Sequence, residues 1–180
     1  MNNFWVMVFV SVMLMACSKD SLTVEQKVLM GTFASYQSAL VYDEVCNGTD
    51  PKSRYDFGKI ENVNLIGNEQ MLVARLGAIQ HLSVPDKSID ELVKALHGVA
   101  KKFQETARQN LDVKGCDSPE AKSTATAYAV FSSFSPAQLS SVVDGRITEQ
   151  GGVITLIENI EDVKEDVKSA KDKKQDGSVE

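Results

Sequence analysis

The sequence predicts an all-α fold, a single bundle of about five to seven helices. Three observations carry this expectation. Apolar residues recur at three- and four-residue spacings in one segment after another, the period of a helix face. The segments open on cap signals: Thr23-Val24-Glu25-Gln26, Ser88-Ile89-Asp90-Glu91, Ser118-Pro119 and Ser135-Pro136. No stretch has the apolar–polar alternation of a strand, and no internal repeat is present.

The chain begins with an apolar run from Phe4 to Ala16, closed by Leu14-Met15-Ala16-Cys17 and a polar turn, Ser18-Lys19-Asp20. The run is shorter than the roughly 20 residues that span a bilayer and matches the apolar region of a secretory signal. Leu14, Ala16 and Cys17 stand as in a lipobox, and the segment resembles the signal peptides of bacterial lipoproteins. Met15 is bulkier than usual there, and Met1-Asn2-Asn3 carries no Lys or Arg. The resemblance covers the first seventeen residues only. It implies a signal peptide over 1–16, lipid on Cys17, a lipidated tether over 17–22 and a place in the bacterial cell envelope. Ser18 after the cysteine resembles lipoproteins sent to the outer membrane. With Cys17 lipidated, Cys46 and Cys116 remain, and an oxidising compartment favours a disulfide between them. The alternative is two free buried thiols.

A helical domain is expected over 23–170. In the first segment Leu29, Phe33, Tyr36 and Leu40 share one face, and Asn47-Gly48-Thr49 ends it. Asp50-Pro51 is a helix-start signal, followed by a weakly patterned stretch to Gly67 with Ile60, Val63 and Ile66 as its face. From Asn68 a stripe of Leu72, Leu76, Ile79 and Leu82 leads to a break at Val84-Pro85. The strongest helix follows, with Ile89, Leu92, Val93, Leu96, Val99, Ala100, Phe103, Ala107 and Leu111 on one face and Lys101, Lys102, Glu105 and Arg108 off it. The segment from Ala121 to Ser133 is rich in small residues, which allow close approach, and is expected to lie centrally. Leu139, Val142, Val143 and Ile147 give a short helix ending at Gly151-Gly152. The last segment sets Val153, Leu156, Ile160, Val163, Val167 and Ala170 in a heptad-like seam. Residues 171–180 are polar and expected to be disordered.

The composition narrows the function classes. Of 180 residues, 43% are hydrophobic and 24% charged, with a net charge of −6. That acidity argues against a nucleic-acid partner, which a basic face would serve. No phosphate loop, dinucleotide turn or nucleophile elbow occurs. Two cysteines without neighbouring histidines make a poor zinc site, and His81 and His97 fall at different heights of a helical hairpin, so no metal is expected. Glu158, Glu161, Asp162 and Glu165 lie on a polar face, and Glu44 and Glu69 have no evident partner. A catalytic role and a cofactor are therefore not expected.

What remains is a lipid-anchored, non-enzymatic adaptor. It would bind the membrane through Cys17 and another envelope protein, or secretion- or conjugation-type machinery, through its domain. Val153, Leu156, Ile160, Val163 and Val167 are the candidate partner-binding residues. Two alternatives stand beside it. One is an immunity or exclusion lipoprotein that blocks a toxin or phage. The other is a small-molecule binder, which requires an apolar cavity lined by Phe33, Tyr36, Phe103, Tyr128 or Phe131.

Overall fold

The computed structural model of the chain describes residues 22–83 and 88–151. Over these residues the protein is all-α, with no strand among them. Helix α1 spans Val24–Cys46, a 3-10 helix spans Pro51–Tyr55, α2 spans Ile60–Ser83, α3 spans Ile89–Lys114 and α4 spans Pro119–Ser133. A fifth helix, α5, covers residues 136–151.

The predicted starts are found. Thr23 and Ser88 each form a reciprocal capping box, with Gln26 and Glu91 respectively. Ser118 caps α4 by accepting from the Ala121 N–H. At α5 the Gln138 carboxamide accepts from the Ser135 N–H, and Ser135 Oγ accepts in turn from the Gln138 N–H. Each box satisfies backbone donors that a helix start leaves without intrahelical acceptors.

The bundle is arranged around α1, which packs against α2, α3 and α4. This differs from the expectation in two ways. Burial on α1 spreads beyond the stripe of Leu29, Phe33, Tyr36 and Leu40: Val28, Met30, Ala39 and Val41 are core residues too, while the line through Lys27, Gly31, Ser38, Tyr42 and Val45 is half-buried or exposed. A helix with so wide an apolar face has to be covered by several neighbours. α4, in contrast, is not central. Ala121 and Phe131 are its buried residues, and its small residues Ser123, Thr126 and Ala129 face outward. Closeness to a neighbour is what small residues permit; burial follows apolar area, which α1 has and α4 lacks.

α2 runs antiparallel to α1, since the Tyr36 hydroxyl donates to the Leu65 carbonyl at 2.9 Å and Arg75 meets Glu25 at 3.3 Å. α3 runs parallel to α1, with Gln37 beside Gln104 and Glu44 beside Arg108. The stripe expected on α3 packs inward through Leu92, Leu96, Ala100 and Ala107, while Lys101, Lys102, Glu105 and Arg108 are exposed. One end of the bundle thus holds Thr23 and the cluster in which Arg75 pairs with both Glu25 and Asp144. The other end holds the Cys46–Cys116 disulfide, with Cα atoms 5.7 Å apart.

The start signal at Asp50-Pro51 is found: Asp50 caps a five-residue 3-10 helix with Pro51 in its first turn, and its carboxylate accepts from the Lys52 N–H. α2 starts only at Ile60 and continues through Gly67 without a break. Gly67 is where α2 crosses the start of α5: a Cβ there would lie 2.7 Å from Pro136 Cγ. A Gly67→Ala substitution is accordingly expected to destabilise by about 1–3 kcal/mol, because the proline ring cannot swing aside. A urea titration that gives an unchanged midpoint for this variant would show that the crossing can open at no cost.

Candidate functional site

The stretch between the 3-10 helix and the first turn of α2 turns its apolar side chains to solvent. Tyr55 is 70% exposed, Phe57 64%, Ile60 70% and Val63 41%. Such a concentration of exposed aromatic and branched residues is unusual where polar side chains would serve solubility. The cause is legible in α2. Its polar residues point inward: Asn62, Asn64 and Asn68 are buried. Asn62 Nδ2 donates to the carbonyls of Ser53 and Asp56, each at 2.9 Å. Asn64 Nδ2 donates to the Ser132 carbonyl and Asn68 Nδ2 to the carbonyls of Phe131 and Phe134. With asparagines and Leu65 taking the inner face, Ile60 and Val63 rotate outward. This corrects the expectation that Ile60, Val63 and Ile66 form the packing face.

The ridge is held firmly. Asp56 Oδ1 accepts from the Gly58 N–H at 3.0 Å, and the Asp56 carbonyl accepts from the Lys59 N–H as well as from Asn62. Phe57 therefore sits on a turn anchored on both sides.

Beside the ridge lies a half-open cleft of about 520 Å³, between the 3-10 helix, α2 and α3. Lys52, Arg54 and Tyr55 line one side; Ile66, Glu69 and Val73 of α2 line another; His97 and Gln104 belong to α3. Arg54 Nη2 donates to the Leu40 carbonyl at 2.6 Å. Under the cleft, fully buried Gln37 accepts from Gln104 Nε2 at 2.6 Å and donates to Glu69 Oε1 at 3.4 Å. Deeper in, burial raises the Tyr36 phenol well above its ordinary range. The Tyr128 phenol is pushed up to about 12, first by burial and then by the Asp43 carboxylate it faces. Both tyrosines therefore stay neutral donors at any physiological pH.

The structure brings together some of the residues singled out in the sequence and separates others. Cys46 and Cys116 are joined. Glu44 and Glu69, expected without partners, have them: Glu44 meets Arg108 at 3.0 Å, and Glu69 accepts from Gln37. His97 is exposed at the cleft. Of the aromatics expected to line an apolar cavity, Tyr36 alone lines this cleft. Phe33 packs edge-on against Phe103, and Tyr36 against Phe131, so these rings fill the core. The signal peptide, Cys17, the seam Val153, Leu156, Ile160, Val163 and Val167, and the carboxylates Glu158 to Glu165 lie outside the described residues. Among the described residues no group of three His, Cys, Asp or Glu is placed to hold a metal, and no helix is long and apolar enough to cross a membrane.

The ridge residues were not singled out as a site in the sequence. Tyr55 ends the short 3-10 helix and Phe57 sits in the turn after it, where no periodicity marks them, yet two aromatics two residues apart beside Gly58 are a usable signal.

No protein-family model, no curated protein and no solved structure matches the chain.

Proposed function

We propose that this chain is a lipid-anchored, non-enzymatic adaptor of the bacterial envelope, which holds another envelope protein on the ridge of Tyr55, Phe57, Ile60 and Val63. The observation that carries this reading is the exposure of that ridge on a rigid turn. Interfaces draw their binding energy from a few large apolar and aromatic side chains, and a rigid turn loses little entropy when it docks. The position of the ridge supports the reading too. Thr23 follows Cys17 by six residues (23 − 17), so a lipid anchor at Cys17 would hold the Thr23 end of α1 near the membrane. The ridge lies toward the opposite end of α1, whose 23 residues extend about 34 Å at the helical rise. An adaptor of this build presents its apolar surface to the periplasmic space rather than to lipid.

Two experiments test the two halves of the proposal. Cys17→Ala is expected to abolish acyl labelling with a palmitate analogue; continued labelling would remove the anchor. A photo-crosslinking amino acid at Phe57 is expected to capture a discrete envelope protein in cells, and one at exposed Lys101 is not. Ile60→Asp, on the same surface, should eliminate the Phe57 product. A product that forms equally at Lys101, or that survives Ile60→Asp, would rule out the ridge as the docking surface.

A further inference from the structure

We propose that the cleft beside the ridge receives an acidic side chain of the bound partner, so that the recognised segment carries Asp or Glu next to large apolar residues. This rests on the adaptor reading and adds the chemistry of the partner.

Charge is the first argument. The chain has a net charge of −6, yet Lys52 and Arg54 line the cleft against one carboxylate, Glu69. Glu69 is already engaged by Gln37. Arg75, Arg108 and Lys114 are paired with carboxylates, whereas Lys101, Lys102 and Arg146, among others of the described residues, stand unpaired on the exposed surface. Among the described residues, neither Lys52 nor Arg54 has an ion pair. The cleft is therefore a local positive surplus on an acidic domain, complementary to an anion.

Arg54 is also prepared for one. Its Nη2 bond to the Leu40 carbonyl fixes the guanidinium in the cleft wall. Guanidinium carries five N–H donors, and a carboxylate is the group that uses several of them at once. A pre-positioned guanidinium gives up little rotamer freedom on binding.

Continuity with the ridge is the second argument. Tyr55 belongs to both surfaces. Val63, Ile66, Gln70 and Val73 follow one another at three, four and three residues, one face of α2 that runs from the ridge into the cleft. A partner segment lying along this face would set apolar side chains on Phe57, Ile60 and Val63 and drop a carboxylate onto Arg54 and Lys52. The cleft is open on one side, which suits a segment of a larger chain.

The test is selection of a displayed random peptide library on the full-length chain in detergent micelles. Selected peptides are expected to combine Asp or Glu with neighbouring Leu, Phe or Trp. Lys52→Glu and Arg54→Gln should each weaken those same peptides about tenfold, the loss of one charge-assisted contact. Arg54→Gln also removes the bond to Leu40, so its fold is checked by thermal melting. Should it be unfolded, Lys52→Glu decides alone, since the Lys52 side chain holds nothing in the domain. Apolar peptides without an acidic residue would overturn the inference while leaving the adaptor reading in place. Selection of no peptide above background would overturn both. Displacement of selected peptides by dodecanoate from the wild type but not from Lys52→Glu would show that the cleft takes a free apolar carboxylate, and would also overturn the inference.

Discussion

Replacing Cys46 and Cys116 together by serine is expected to lower the stability of the domain by about 4 kcal/mol. The bridge closes a loop of 70 residues, which contains the 3-10 helix, α2 and α3. The chain-entropy argument makes the effect large because so long a loop removes many conformations from the unfolded chain. The native side adds little opposing strain, because both cysteines sit at natural ends. Cys46 is the last residue of α1, where Asn47 and Thr49 direct their N–H groups to the Asp43 carbonyl. Cys116 follows Gly115, whose φ of 77° turns the chain out of α3. For a domain of this size the loss corresponds to a fall in Tm of about 10 °C. Oxidised and reduced wild type compared with the double serine variant by calorimetry give the check: the reduced protein and the variant should melt together, well below the oxidised protein. Coincident melting of oxidised and reduced wild type would show that the bridge constrains nothing the packing does not already hold.

Why some of this architecture was legible in the sequence, and some not, follows from the range of the interactions involved. Local signals transferred well. The capping boxes at Thr23, Ser88 and Ser135 bond across three residues, so everything they need is inside a four-residue window. α3 was legible because its solvated face makes its period visible. The central place of α1 was not, since the stripe of Leu29, Phe33, Tyr36 and Leu40 marks one face and does not record how far burial spreads around it. The start of α2 misled for a different reason. Its asparagines look like surface residues until their acceptors are known, and the acceptors of Asn64 and Asn68 lie 63 to 68 residues away. No local pattern records such a partner. The ridge was hidden by the same inversion, because exposed Ile60 and Val63 look like core when the inward asparagines are assumed to face water. The cleft could not be read at all, since it assembles α1, the 3-10 helix, α2 and α3 from four separate stretches.

The inversion at α2 leads to the second large effect. Asn68→Leu is expected to destabilise by about 3 kcal/mol, despite placing an apolar residue at a fully buried position. α4 ends at Ser133, and Phe134 continues in extended conformation. A helix end leaves its last carbonyls without intrahelical donors. At α4 those carbonyls are capped from another helix: Asn64 donates to Ser132, and Asn68 donates to Phe131 and to Phe134, both at 2.8 Å. Leucine would fill the space but leave two carbonyls buried without donors, each costing about 1–3 kcal/mol, with relaxation at the corner sparing part of the sum. Asn68→Asp should be worse at neutral pH, because a carboxylate would face two carbonyl oxygens. Its behaviour has a definite sign. Burial beside those oxygens raises the folded-state pKa of an aspartate above its unfolded value of about 3.9, so the folded state binds the proton more tightly and stability falls as pH rises. The aspartate variant should therefore approach the leucine variant in acid, where its protonated form can donate one bond. Urea midpoints of the wild type and both variants at neutral and acid pH measure this. A leucine variant as stable as the wild type would mean that Leu139 and Val143, buried in α5, hold the α4–α5 corner without any cap from α2.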